Sequence, residues 1–242
     1  LLELRKTSLN LESSRFAMLR RDGWQVFFHY GQLDRSHAQS EALNYEAHFG
    51  DIDVTHDAGT VGYGSPLHRG YYTTVAAHNV PVVDGEGQQG WDEGKLLGFS
   101  AAEATVSASQ PAYRKNADAQ RTLSIHEGAL QDSTTIETRD GAAHRLGIIV
   151  NIQGKVLPPS SATTLTSPPF AHWSAAREWR TEGPLELEAH IDGRKFLIRI
   201  KGPGPLRVVH ATVPDAPPRQ REAVYVEANG TAATFLTQWI PR

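Results

Sequence analysis

Apolar and polar positions alternate over short distances along most of this chain. RFAMLRR, WQVFFHY, LNYEAHF, RTLSIHE, LELEAHID, KFLIRIKG, LRVVHATV and ATFLTQWI place hydrophobic side chains at every second position or in short apolar blocks. Successive side chains of an extended strand point to opposite faces, so this period marks strands with a buried side. KLLGFSA, ATVSAS, TTIETRD, HRLGIIVNI and AVYVEAN extend the series, and Gly, Pro, Asp or Asn punctuate it. RDG at 139–141 and IDGRK at 191–195 have the composition of tight hairpin turns. The pattern predicts an all-β fold of stacked antiparallel sheets, a sandwich or supersandwich.

One stretch breaks the pattern. SPLHRGYYTTVAAHN, 65–79, offers Ser65 as a cap and Pro66 at a first helical position, which predicts one short helix near 65–77. LPPSSATTLTSPP, 157–169, reads as a surface connection between sheets. No repeat of fixed length is present, and 1–242 is read as one β-sandwich domain. The opening LLELRKTSLNLESS carries charges where a signal peptide has an apolar core, so it reads as the interior of a longer chain.

Composition narrows the partners and the chemistry. A formal charge of −3 over 242 residues gives no general reason to expect nucleic acid as a partner. No apolar run approaches the ~18 residues of a membrane-spanning helix, so no membrane partner is expected. The absence of cysteine excludes disulfides and thiolate metal sites, leaving His, carboxylate, amide and carbonyl ligands.

Histidines concentrate upstream: His29, His37, His48, His56, His68 and His78 all precede residue 79. His126, His144, His172, His190 and His210 lie in no informative pattern and are read as structural or surface residues. In SHAQSE, His37 and Gln39 share a strand face. Asp57 precedes a Gly-rich turn in THDAGTVGYG, and His78 ends AAHN just before VPVV. Together Gln39, Asp57 and His78 would supply an amide oxygen, a carboxylate and an imidazole to one divalent ion. That donor set accepts zinc, calcium or manganese without choosing among them. Arg69, beside Tyr71 and Tyr72, is a candidate contact for a carboxylate or sulfate.

The order of these elements resembles the core of heparinase II/III-type polysaccharide lyases. The resemblance rests on His37-Ala38-Gln39, then Asp57-Ala58-Gly59, then Tyr71-Tyr72 through His78-Asn79 into Val82-Val83-Asp84-Gly85, and it is clear over about 27–90. It implies stacked antiparallel sheets that follow an N-terminal (α/α) toroid, which is absent from this sequence. It implies β-elimination on an acidic polysaccharide containing uronic acid, of glycosaminoglycan or alginate type. His37 becomes the active-site histidine of the β domain, Gln39, Asp57 and His78 the metal ligands, and Tyr72 a candidate substrate contact. Gln39 stands where a second histidine is more common, as in the heparinase III-like variant, which favours calcium or manganese over zinc. The family places the catalytic asparagine, a further histidine and the tyrosine acid/base on the toroid, so the isolated chain is expected to be inactive. The resemblance also implies a periplasmic or secreted bacterial protein.

Two other readings use the same residues. One is a non-catalytic, metal-stabilised β-sandwich that binds glycans or supports a toroid partner. The other is a self-contained metal-dependent β enzyme such as a cupin, which lacks its G(x)5HxH element here.

Overall fold

The computed structural model describes residues 7–34, 38–90 and 92–242. Strands β1 (Leu9–Leu11), β2 (Phe16–Arg21), β3 (Trp24–His29), β4 (Asn44–Phe49) and β5 (Ile52–Thr55) form a five-stranded meander. After a helical connection come β6 (Pro81–Val83), β7 (Lys95–Ser100), β8 (Thr105–Arg114), β9 (Ala117–His126), β10 (Ala129–Thr138), β11 (His144–Ile152), β12 (Lys155–Val156) and β13 (Thr163–Thr164). The chain ends with β14 (Ser174–Thr181), β15 (Leu185–Ile191), β16 (Arg194–Lys201), β17 (Leu206–Pro214), β18 (Gln220–Gly230) and β19 (Ala232–Pro241). An eight-stranded sheet runs β12-β15-β16-β19-β10-β9-β8-β7, and a six-stranded sheet runs β13-β14-β17-β18-β11-β6. Every strand pairing is antiparallel, as the alternation predicts.

The two predicted turns behave differently. Asp192 and Gly193 take φ of 45° and 76°, and close the β15–β16 hairpin with the left-handed residue pair that matches strand twist. The RDG turn makes no hairpin. It carries the chain from β10, which pairs with β9 and β19, to β11, which pairs with β18 and β6 in another sheet. Local composition specifies a reversal, and packing decides which strand is met afterwards.

The helix expected near 65–77 divides into two pieces. His68–Tyr72 is a wide turn closed by Thr73 N–H donating to the His68 carbonyl, five residues back, at 3.1 Å. Val75–Ala77 is a single tight turn. Gly70 and the β-branched run Thr73-Thr74-Val75 disfavour a longer regular helix.

The layers explain the hydrophobic runs. In β11, Leu146, Ile148, Val150 and Ile152 join the main core between the sheets, while Ile149 points the other way. There it meets Val209, Ala211, Tyr225, Tyr71, Tyr72 and Ala77 in a second apolar cluster. The six-stranded sheet is therefore buried on both faces, and β11 and β18 read as almost continuous buried strands. The eight-stranded sheet keeps one wet face, so β9 and β15 alternate cleanly. Two indole N–H groups tie the meander to that sheet: Trp24 to the Gly128 carbonyl at 2.9 Å, and Trp239 to the Tyr45 hydroxyl at 3.1 Å.

Candidate metal centre

Three acidic and imidazole groups meet where the meander abuts the helical connection. Glu41 precedes β4, Asp57 follows β5, and His78 follows the Val75–Ala77 turn; one donor atom from each lies within 4.8 Å of the others. Bonds of about 2.0–2.6 Å from a common cation span such a triangle. The proton inventory supports the same reading. His78 Nε2 is 3.1 Å from the Tyr72 carbonyl, which can only accept, so Nε2 carries hydrogen. Nδ1 then faces Asp57 Oδ2 at 2.6 Å. A proton or a cation must sit between a ring lone pair and a carboxylate that close.

The remaining contacts orient the carboxylate. Asn44 Nδ2 donates to Asp57 Oδ2 at 2.9 Å, and Gly59 N–H donates to Oδ1 at 2.7 Å. Burial raises the Asp57 carboxyl and His78 opposes it; the net direction is below the usual carboxylate range. Burial lowers the His78 ring and Asp57 opposes it; the net direction is upward. The metal-free pair holds one proton between His78 Nδ1 and Asp57 Oδ2, and a cation would bind by displacing it.

The His-Asn pair before VPVV has two separate tasks. His78 reaches Asp57, while Asn79 knits three strands. Asn79 N–H donates to Asn44 Oδ1 at 2.9 Å, and its amide donates to the Tyr45 carbonyl and Thr55 Oγ1 at 2.8 and 2.7 Å. Asn79 Oδ1 accepts from Asn151 N–H at 2.7 Å. Arg121, fully buried on β9, donates to the carbonyls of Asn79 and Leu43 and pairs with Asp132 at 3.0 Å.

The predicted site residues fall into different classes. Asp57 and His78 converge as expected, and Glu41 is the third converging group. Residues 38–43 form no strand, contrary to the strand face expected for His37 and Gln39, so Glu41 is brought in by the loop before β4 and no local period points to it. Gln39 gives its carbonyl to Gln32 Nε2 at 2.7 Å, while its own Oε1 is buried with no hydrogen-bond partner among the described residues. A buried oxygen donor without a partner, close in sequence to Glu41, fits a cation site. The donor set Glu41, Asp57 and His78 offers two carboxylates and an imidazole, a combination compatible with calcium, manganese or zinc. His37 lies outside the described residues. Tyr72, expected at a substrate cleft, is instead fully buried. Its hydroxyl donates to the Asp215 carbonyl at 2.5 Å, which leaves no surface for a sugar. Arg69 is exposed on the His68–Tyr72 turn and has no ion pair among the described residues.

Beside the centre, His56 is held between two carboxylates, Asp53 at 2.5 Å and Asp215 at 2.8 Å. The hydrogen bonds to Asp215 and Asp53 push the His56 ring up to about 9. Burial acts to raise Asp215, but His56 overcomes it and holds that carboxyl at about 2. Asp215 is far away in sequence, and no spacing rule connects it to His56.

The chain after β3 passes through a tight crossing at Gly31. A Cβ on Gly31 would lie 1.7 Å from the Glu93 carbonyl oxygen, so only glycine lets residues 30–32 and 92–94 pass this closely.

No curated protein matches the chain by sequence search. Among solved structures, a heparinase III gene product superposes with a TM-score of 0.74 at 14% identity, over 98% of this chain and 36% of that one. A heparan sulfate lyase from Pedobacter heparinus gives 0.73 at 15% identity, over 98% and 36%. At that identity the likeness establishes the fold, and the chain spans about a third of the length of these structures. The sequence profile of the family described as "Heparinase II/III-like, C-terminal" matches residues 4–153, more than half of the chain. With three antiparallel sheets in place and the Asp57–His78 pair formed, this chain belongs to the heparinase II/III-like C-terminal domain family.

Proposed function

We propose that this chain is the β-sheet domain of a polysaccharide lyase that cleaves a uronic-acid polymer by β-elimination. Family membership over residues 4–153 is the observation that carries this reading. The solved structures of this fold named heparinase III and heparan sulfate lyase favour a glycosaminoglycan, with alginate as the competing polymer. In the reaction the C5 proton is abstracted, the C4–O bond breaks, a C4–C5 double bond forms, and the departing oxygen takes a proton. An imidazole suits proton handling because its charge changes near neutral pH. That role goes to His37, with the remaining acid/base groups on the helical domain with which the sheets would share a cleft. The exposed Arg69 suits a carboxylate or sulfate of the polymer. A divalent ion, when bound, supplies a cross-link between the segments that carry Gln39, Glu41, Asp57 and His78, and so fixes the chain two residues after His37. The export expected for such an enzyme places it in the periplasm or outside the cell.

The test is a panel of heparan sulfate, heparin, chondroitin sulfate and alginate, incubated with the chain joined to its helical domain. Ultraviolet absorbance of the unsaturated product is the readout. At least one polymer should be cleaved, and His37→Ala should lower turnover about 10²–10⁴-fold while metal content and folding stay intact. The 242-residue chain alone should be inactive. Flat traces on every polymer, with metal still bound, would point to the non-catalytic glycan-binding reading instead.

A further inference from the structure

Two buried arginines grip the backbone on either side of His78, and they are not equivalent. Arg121 holds the Asn79 carbonyl, just after His78, and the Leu43 carbonyl, just before Asn44. Its charge is balanced in direct contact by Asp132. Arg221, on β18 and 3% exposed, donates from Nη1 to the His56 carbonyl and from Nη2 to the Ala77 carbonyl at 2.7 Å. Those are the peptide oxygens immediately before Asp57 and His78. No carboxylate forms an ion pair with Arg221 among the described residues. A buried guanidinium held only by two carbonyls, with its Nε left without a partner among the described residues, is costly to the fold, which makes a purely packing role unfavourable. Its planar fork, by contrast, spans two acceptors at a fixed separation.

We infer that Arg221 is a positioning residue of the metal centre: by bridging the His56 and Ala77 carbonyls it sets the distance and direction between Asp57 and His78. This rests on the metal reading above only for its consequence in affinity; the bridging itself is a property of the metal-free chain. The connection is not local. Arg221 lies in the second half of the sequence, on a strand of the doubly buried sheet, and the two ligands lie on separate connections in the first half. The six-stranded sheet thereby acts as the rigid base from which the ligand geometry is built.

The experiment compares the 242-residue chain with its Arg221→Lys and Arg221→Met variants, and with Phe235→Leu as a control for general destabilisation. Two quantities are read. One is the affinity for Mn²⁺, Zn²⁺ and Ca²⁺ by titration calorimetry. The other is the hydrogen-exchange rate of the Gly59 amide in metal-free protein, which reports the hydrogen bond from Gly59 to Asp57. Arg221→Met should weaken binding of the best metal ~10- to 100-fold, the usual scale for losing a group that orients a ligand. Arg221→Lys keeps the charge but not the fork, and should recover at most a small part of that loss. Both variants should speed Gly59 exchange about tenfold or more, whereas Phe235→Leu should leave affinity and Gly59 exchange unchanged. If the parent chain binds none of the metals but Gly59 exchange still responds to Arg221, the metal reading fails and the positioning role stands. If either substitution folds and leaves Gly59 exchange unchanged, the positioning role is overturned whatever the metal does. Full recovery by lysine would also overturn it, since charge alone would then suffice.

Discussion

The eight-stranded and six-stranded sheets share one core yet differ in what covers their outer faces. On the eight-stranded sheet the outer face is wet, and among the described residues no layer lies above Thr122, Ser124, Gln131, Ser133, Thr234 and Gln238, which line it. On the six-stranded sheet the outer face is covered by residues 58–77 and by Phe170 and Trp173. Covering a sheet with irregular chain buries polar backbone that strands cannot satisfy, so side chains must do it. Asn79, Asn44, Arg121 and Arg221 do so here, and Asp57 and His78 sit inside their web. The difference teaches where chemistry can be held: a ligand pair needs an irregular segment, and that segment needs a two-sided sheet beneath it.

The largest expected effect contrasts one residue from each region. Phe235→Ala, in the core under the wet sheet, should cost roughly 3–5 kcal/mol and lower the melting temperature, with metal affinity of the folded protein unchanged. Asn79→Ala should cost less, about 1–3 kcal/mol for the groups left unpaired, yet abolish metal binding. Calorimetric melting with metal titration separates the two; a metal loss in Phe235→Ala equal to that in Asn79→Ala would erase the distinction between the sheets.

A middle-sized effect concerns pH. With the His56 pKa raised to about 9 and Asp215 lowered to about 2, their ion pair stabilises the metal-free fold across the intervening range. The histidine contribution is complete below its unfolded pKa of ~6.5 and fades as pH rises through about 9. The aspartate contribution is complete above ~4 and is lost as pH falls toward about 2. After allowance for solvent screening, the pair is worth on the order of 2 kcal/mol. Melting curves in chelator should show stability falling between pH ~6.5 and ~9, and His56→Gln should flatten that limb. An unchanged alkaline limb in His56→Gln would detach the effect from this residue.

The smallest effect belongs to the wet side of the eight-stranded sheet. Arg199 and Glu186 form an exposed pair at 2.7 Å on adjacent strands. Arg199→Ala should change stability by no more than ~0.5 kcal/mol and metal affinity not at all. A larger shift in urea midpoint would mean that this face carries more than solvent-exposed charge.

The alternating strands, the Asp192-Gly193 hairpin and the antiparallel class were legible because each depends on residues near in sequence. β14, SAAREWRT, was not, since only Ala176 and Trp179 of its residues are buried and a bulge interrupts its pairing with β17. At the centre, Asp57 and His78 could be named from their local patterns and from the family resemblance. Glu41 could not, because it sits in the irregular chain before β4, where no side-chain period applies. Tyr72 was misplaced because an aromatic beside an arginine looks the same in sequence whether it faces a cleft or, as here, the Asp215 carbonyl.

What the sequence by itself determined is the period of the regular strands and the chemistry available to them, because side-chain alternation and turn preference act over a few residues. Only the tertiary structure decided that β10 and β11 part company, that the six-stranded sheet is covered on both faces, and that Asp215 and Arg221 reach back to His56 and Ala77. Those outcomes depend on which apolar faces are left to bury and which backbone groups are left to satisfy once all the strands are in place.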